Sequence, residues 1–384
     1  MYSIKKGQPF HSSLSTLRFF LVYREYSQEP KLIFLSLISV ILSCMAFTMF
    51  VIVCILHAAI SIEENIGGDI SEDLSISLGG LGMLINNTLF KFHREKWSRF
   101  FKDVTNIDTF GKPTDFDKVK NRGNFFSYLY IIYCTVGTIV YSCVGVLESS
   151  CEDISEDTKR KSICGTLSPI WLPVENVTMT TRNFILLIQY ILANYIITPS
   201  AIICFLPFET TELLISHISF LKEKILDIFQ CEDEELRKNR LRYCVTYHTH
   251  ILRMADQLKY MVKFSVGHMS LICAMVFGCI GNQIFKAKPV GAAIFLFGYM
   301  VSLFLLCYAG QRIIDESLSI AEVIYQSKWY EANTQMRRSI QFTLARSQIP
   351  LTLHAWPFGI FCFPLFMMIV KTSYSYLTLL RQTT

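Results

Sequence analysis

Long apolar stretches that lack charged residues limit what this chain can fold into more than any other feature. A helix needs roughly 20 apolar residues to cross about 30 Å of hydrocarbon. A buried helix of a soluble protein could imitate one such stretch, but hardly five or six of them. The stretches are residues 32–60, 74–90, 125–147, 183–208, 264–285, 289–311 and 349–380. They predict an all-α membrane protein with seven transmembrane helices, of which 74–90 is the weakest.

Composition supports this fold class and excludes several functions. Hydrophobic residues make up 52% of the 384 and charged residues only 17%, whereas about a quarter are charged in soluble domains. The polar start of the chain does not resemble a secretory signal peptide, and neither end shows a lipidation motif. The chain has no Gly-rich phosphate loop, CxxC pair or HExxH motif. We expect no cofactor, metal or nucleic-acid partner, and we favour a protein that is not an enzyme.

The distribution of basic residues predicts the orientation in the membrane. Positive residues prefer the cytoplasm. They precede the first stretch and fill residues 91–122, whereas the loop after the first stretch and residues 148–182 are acidic. The linker with Lys286 and Lys288 is the exception. We therefore predict a cytoplasmic N-terminus and an extracellular C-terminus, the opposite of a G-protein-coupled receptor, whose Asp-Arg-Tyr and Asn-Pro-x-x-Tyr motifs are also missing.

This orientation divides the chain into six segments. The segments are a cytoplasmic N-terminal segment (1–31), transmembrane helices one to four (32–208), a cytoplasmic helical segment (209–263), transmembrane helices five and six (264–311), a cytoplasmic helix (312–348), and the last transmembrane helix with the extracellular C-terminus (349–384). Apolar residues at helical spacing predict an amphipathic helix over 210–230 and a second helix over 236–263. We interpret both as packed extensions of the spans, with calmodulin-type binding at 237–242 as a minor alternative.

The predicted outer loop 148–182 carries two candidate modification sites. Asn176 begins the sequon Asn-Val-Thr, which can be glycosylated only outside the cell. Cys151 and Cys164 share the same loop, in an oxidising compartment where a disulfide can form. A disulfide and two free thiols both remain open.

The last helix combines an apolar body with one polar stripe. Residues three or four apart share a helix face, which aligns Lys371, Ser375, Thr378 and Gln382, with Leu379 beside them. A lysine within the membrane is by default a functional hypothesis. The stripe either packs within its own chain, with Lys371 snorkelling, or lines water at the axis of a ring of subunits. In the second case Leu379 is placed to form an apolar gate.

Three motifs near the end of the chain resemble those of the insect odorant receptors. They are Ser327-Lys-Trp-Tyr330, Arg346-Ser-Gln-Ile-Pro350 and Lys371-Thr-Ser-Tyr-Ser-Tyr-Leu-Thr-Leu-Leu-Arg381. The resemblance implies a tetrameric, odorant-gated cation channel with a cytoplasmic anchor, in the plasma membrane of sensory dendrites. It also implies that this chain is the tuning subunit, that a common co-receptor completes the pore, and that Leu379 and Gln382 lie at the gate.

The same resemblance implies a ligand pocket in the outer halves of the second, third, fourth and sixth spans. The candidate ligand-binding residues are Leu81, Leu84, Thr138, Tyr141, Ser142, Phe184, Leu187, Tyr190, Ile191, Phe295 and Tyr299. Such a pocket is mostly apolar, with a few hydroxyl groups to orient a ligand.

Two further alternatives remain at this stage. A gustatory-type receptor channel would share the topology and the pore helix, although the full Ser-Tyr-Ser-Tyr signature favours an odorant receptor. A multi-pass membrane enzyme, such as an acyltransferase, would need a histidine beside an acid or a cysteine. His57 lies near Glu63 and Glu64 in the sequence, but no supporting motif surrounds them.

Overall fold

The computed structural model describes residues 2–23, 30–63, 70–148, 179–286 and 289–383. This part of the chain is almost entirely helical. Its helices are α1 (His11–Phe19), α2 (Pro30–Glu63), α3 (Ile70–Val104), α4 (Phe116–Glu148), α5 (Met179–Leu226), α6 (Glu234–Ser265), α7 (Met269–Lys286), α8 (Pro289–Gln326), α9 (Thr334–Ser347) and α10 (Phe363–Thr383). Two short strands, β1 (His354–Ala355) and β2 (Gly359–Ile360), form an antiparallel hairpin before α10.

Five of the seven predicted transmembrane stretches lie within one long helix, and the other two lie partly on helices; this confirms the predicted helical membrane fold class. Among the described residues, four helices are long and apolar enough to cross a membrane, and their spans are Leu37–Leu56, Phe116–Val144, Thr180–Gln230 and Val290–Gln326. The bent pair α6 and α7 provides a fifth. In the part of the chain that the structure describes, two helices with predicted spans do not meet both conditions. They are α3, which carries the weakest stretch, and α10, which carries the polar stripe. Seven crossings and the orientation of the termini remain predictions.

Helix α5 is the central element of the bundle and packs against α3, α4, α6 and α8. It joins the predicted fourth span and the predicted amphipathic helix into one helix of 48 residues, about 72 Å long at ~1.5 Å per residue. Pro199 and Pro207 lie inside it. The Thr210 hydroxyl donates to the carbonyl oxygens of Leu206 (2.7 Å) and Pro207 (3.1 Å) one turn earlier.

Helices α3, α4, α5, α6 and α8 extend beyond their apolar stretches and pack with α1 and α9. We call this part, residues 11–19, 91–122, 209–265 and 312–347, the anchor layer. Its interior holds large buried side chains such as Trp97, Phe101 and Tyr247. Helix α1, which the sequence did not predict, is fastened there because the Ser13 hydroxyl donates to the buried Glu209 carboxylate at 2.6 Å.

Two predicted spans begin later than the sequence suggested. The fifth begins at Met269 rather than at residue 264, because the chain bends by 41° between α6 and α7. Gly267 at this bend packs so closely on the Lys263 carbonyl that a Cβ atom would collide with it. The last helix begins at Phe363 rather than at residue 349. The preceding residues form the hairpin because Pro350 and Pro357 lack donor N–H groups and Gly359 adopts a φ of 105°.

The predicted cytoplasmic helix over 312–348 is divided in two. Its first part continues α8 without a break to Gln326, and a turn then leads into α9. The Asn333 side chain caps α9 by accepting a hydrogen bond from the Met336 backbone N–H at 2.8 Å. This cap explains why a new helix begins here.

Candidate ligand cavity and the polar face of the last helix

A cavity of about 240 Å³ lies between α2, α3, α4, α5 and α8, with the start of α7 at one end. A single water molecule needs roughly 10–15 Å³ and an apolar cavity of about 150 Å³ can bind benzene, so this cavity can hold a small organic molecule. The lining residues are Phe47, Phe50, Ile76, Gly80, Met83, Tyr130, Tyr133, Cys134, Gly137, Thr138, Tyr141, Gln189, Leu192, Ala193, Ile196, Ile197, Ser200, Ala201, Cys204, Met269, Ile294, Phe295, Gly298, Tyr299 and Ser302.

Aromatic rings form much of the wall and hold one another in place. The Tyr130 ring stacks on Phe205 at 5.7 Å between centroids, and Phe295 meets Tyr299 edge to face at 5.1 Å. Tyr141 contacts Phe295 at 6.2 Å. Aromatic contacts of this kind add stability beyond the area they bury, so the cavity has a largely preformed shape.

Most of the polar groups in the wall are already hydrogen-bonded within the protein. The hydroxyls of Tyr130 and Ser302 are 2.6 Å apart, and the Thr138 hydroxyl donates to the Cys134 carbonyl at 2.7 Å. The Tyr299 hydroxyl is different, because it is buried and finds no hydrogen-bond partner within the described ranges. Because Tyr299 lines the cavity, this unsatisfied donor is the candidate hydrogen-bonding group for a ligand.

Four of the eleven candidate ligand-binding residues lie in the cavity wall: Thr138, Tyr141, Phe295 and Tyr299. The other seven do not line it. Leu81 is exposed and Leu84 is half-buried on α3, whose lining residues are Ile76, Gly80 and Met83. The Ser142 hydroxyl donates to the Thr138 carbonyl at 2.8 Å. The remaining four lie near the start of α5. Phe184, Leu187 and Ile191 are exposed, and Tyr190 is half-buried.

The sequence reasoning missed the contributions of α2 and of the deeper turns of α5. Phe47 and Phe50 come from α2, which no prediction included. One local signal was available in the glycines of α3. A Cβ atom on Gly80 would lie 2.7 Å from the Phe47 ring, so the glycine allows α2 to approach α3 at the edge of the cavity.

The last helix, α10, packs on α7 and α8 along one face. Leu365, Ile369 and Ser373 are buried on that face, and the Ser373 hydroxyl lies 3.3 Å from the Ala274 carbonyl oxygen of α7. Lys371 and Ser375 are exposed. Two residues of the predicted polar stripe therefore point away from the rest of their own chain.

The structure describes the other predicted site residues only in part. Thr378 is partly buried, and its hydroxyl donates to the Ser375 carbonyl at 2.8 Å. Leu379 and Gln382 belong to α10, but their side chains are outside the described part, as are Asn176, Cys151 and Cys164 altogether.

The fold and the cavity define a helical membrane protein with room for a small molecule inside its bundle. The family model "7tm Odorant receptor" matches residues 67–374. The chain therefore belongs to the insect odorant receptor family, and it is a receptor rather than an enzyme. This membership also sets aside the gustatory-type alternative.

Individual proteins agree with this family. The chain is 25% identical to odorant receptor 67c of Drosophila melanogaster over 71% of its own length and 68% of that receptor. It is 27% identical to odorant receptor Or2 of Anopheles gambiae, over 37% of this chain and 39% of that one. The solved structure of olfactory receptor OR5 from Machilis hrabei in complex with eugenol superimposes with a TM-score of 0.76 at 14% identity, covering 97% of this chain and 98% of that chain. At that identity the likeness shows the fold.

Proposed function

We propose that this chain is the ligand-binding subunit of an odorant-gated cation channel in the plasma membrane, assembled with a co-receptor into a tetramer. The observation that carries the proposal is the pairing of an internal cavity with a last helix whose polar side chains face outward. A helix does not expose lysine and serine to lipid without a large penalty. In an assembly of subunits, the same face of α10 would meet water at a shared axis.

The proposed ligand is a small, mostly apolar molecule with one hydrogen-bond acceptor. The wall is predominantly apolar and aromatic, and the free Tyr299 hydroxyl can donate to an ether, carbonyl or hydroxyl oxygen. The OR5 receptor of Machilis hrabei was solved with eugenol, which supports a small organic ligand for this chain. Of the residues predicted from the family, we propose Thr138, Tyr141, Phe295 and Tyr299 as ligand contacts.

The contacts of α8 suggest how binding would open the pore. Helix α8 supplies Phe295, Gly298 and Tyr299 to the cavity and also packs on α7 and α10. On α7, Gly281 lies beside Leu377 of α10, where a Cβ atom would come within 3.0 Å of the leucine side chain. A ligand that binds the open arrangement more tightly would shift these helices together.

We propose that Lys371, Ser375 and Thr378 line this pore and that Leu379 and Gln382 form its narrow end. A ring of four lysines would repel cations. The co-receptor subunits of the assembly would have to lack this charge for cations to pass.

The test is electrical recording from cells that express this chain with the co-receptor while G-protein signalling is blocked. We expect an odorant-evoked current whose cation permeability rises in Lys371→Gln. The control is Lys118→Gln, which removes the same charge from an exposed position in the anchor layer and should leave permeation unchanged. A current that disappears when G proteins are blocked, or identical permeation in all three proteins, would refute the channel proposal.

A further inference from the structure

Three lysines and three aromatic residues form an exposed patch on the side of the anchor layer nearest the membrane helices. We call Lys96 of α3, Lys259, Tyr260, Lys263 and Phe264 of α6, and Trp356 of the hairpin the basic-aromatic patch. Tyr260, Phe264 and Trp356 are 41%, 40% and 57% exposed, so their rings are accessible to whatever surrounds this part of the protein.

The side chains of the patch are held together by direct contacts. The Lys96 ammonium donates to the Tyr260 hydroxyl at 2.9 Å and lies 4.2 Å from the centre of that ring. The Tyr260 and Phe264 rings are 4.5 Å apart, and the Lys263 ammonium lies 5.5 Å from the centre of the Phe264 ring. These contacts order the Lys96 and Lys263 side chains on one surface.

The hairpin adjoins the same lysines. Strand β1 packs on α6. The pKa of His354 is lowered by partial burial and by the charges of Lys259 and Lys263, which places this ring within their electrostatic reach. Residues from α3, α6 and the hairpin therefore meet at one place.

The charges of these lysines are not balanced by carboxylates. Within the described ranges, no carboxylate lies within ion-pairing distance of Lys96, Lys259 or Lys263, whereas Lys222 pairs with Glu316 at 2.8 Å. The nearby Glu95 pairs with Arg99 at 3.9 Å, and Asp256 lies about one turn before Lys259. Three cations against one carboxylate leave an excess of positive charge.

The position of the patch along three membrane helices indicates what covers it. Lys96 follows the end of the apolar stretch 74–90, Phe264 precedes the start of α7 at Met269, and Trp356 precedes the start of α10 at Phe363. In the predicted seven-span topology, all three places lie where a helix leaves the hydrocarbon. Trp and Tyr collect at this headgroup level, and basic residues on the predicted cytoplasmic face attract anionic lipids.

We propose that the basic-aromatic patch binds the headgroup of an anionic phospholipid, with the lipid phosphate held by Lys96, Lys259 and Lys263. Trp356 and Phe264 lie against the glycerol and the first carbons of the acyl chains. A soluble anion would use the lysines but has no need of the exposed aromatic rings. The proposal rests on the placement in the membrane and is independent of the odorant and of the pore.

The test measures the lipid that remains bound to the purified full-length protein in nanodiscs containing phosphatidylserine and phosphatidylcholine. We expect enrichment of phosphatidylserine around the wild type. In Lys259→Gln/Lys263→Gln its affinity should fall by about 25-fold, because ~1 kcal/mol per cation near an anionic surface corresponds to about fivefold for each lysine. Lys259→Arg/Lys263→Arg should retain binding, and Trp356→Ala should weaken it without any change of charge.

The matched control is Lys102→Gln/Lys118→Gln, which removes two exposed lysines elsewhere in the anchor layer that also lack a carboxylate partner within the described ranges. An equal loss of phosphatidylserine in this control would overturn the proposal, because it would show only a general attraction between charges. Unchanged binding in Lys259→Gln/Lys263→Gln would also overturn it. So would displacement of the lipid by inorganic phosphate at comparable concentration, because the patch would then be a site for soluble anions. The thermal unfolding midpoint of each variant verifies that it is folded.

Discussion

Removing the hydroxyl group of Tyr299 should affect stability and ligand response in opposite directions. The hydroxyl is buried beside the cavity and has no partner within the described residues. Leaving such a group without a hydrogen bond costs about 1–3 kcal/mol. Tyr299→Phe keeps the ring and its edge-to-face contact with Phe295 while it removes this penalty. The ligand-free variant should therefore unfold at a higher temperature than the wild type.

The same variant should respond less to a ligand that carries a hydrogen-bond acceptor. A hydrogen bond to the ligand contributes about 0.5–1.5 kcal/mol net, so the half-maximal concentration for such an odorant should rise by roughly 2- to 12-fold. A pure hydrocarbon of similar size cannot accept the bond, and its potency should be unchanged or improved. The assay is concentration–response recording with the co-receptor, using pairs of odorants that differ only in the acceptor.

Tyr130→Phe provides the matched control. It removes a hydroxyl from the same cavity wall, but that hydroxyl lies 2.6 Å from Ser302. Its loss should lower stability by about 0.5–1.5 kcal/mol and should not distinguish acceptor ligands from hydrocarbons. If Tyr299→Phe also lowered the unfolding temperature, or if both variants shifted all odorants equally, the assignment of Tyr299 as a free donor would be wrong.

Two further predictions concern the anchor layer and the cavity wall. Burial lowers the pKa of His217 to about 4, whereas the unfolded side chain has its usual pKa of ~6.5. The neutral imidazole therefore contributes its full stabilisation above pH ~6.5, and this contribution is lost as the pH falls towards 4. Between pH 7 and pH 5 the free energy of unfolding of the wild type should fall by on the order of 2 kcal/mol more than that of His217→Gln. Thermal unfolding at the two pH values measures this difference. Equal losses in both proteins would show that His217 is not a buried neutral imidazole. Gly137→Ala should fold normally, because its Cβ meets nothing within 4 Å, whereas Gly80→Ala would press on Phe47 at 2.7 Å and lower stability. Both line the cavity, so Gly137→Ala should selectively weaken the response to the largest odorants, and an unaltered size preference would show that they bind elsewhere.

The sequence could predict the helical membrane class and the positions of the long helices because hydropathy is additive along the chain. A run of about 20 apolar residues is recognisable without knowledge of its neighbours. The polar stripe of α10 was also predictable, since Lys371 and Ser375 contrast with an apolar background and helical spacing places them on one face. Both side chains are exposed on the folded chain.

Only the tertiary structure decided which face of each apolar helix lines the cavity. In a membrane, the lipid-facing and protein-facing sides of a helix are both apolar, so the sequence contains little information about rotation. Phe184, Leu187 and Ile191 are exposed, while Ala193 and Ile196 of the same helix line the cavity. The contribution of Phe47 likewise depends on how α2 approaches Gly80, which the glycine permits but does not by itself specify. The sequence by itself determined where this chain is helical and apolar, and the packing of those helices determined which side chains a ligand can meet.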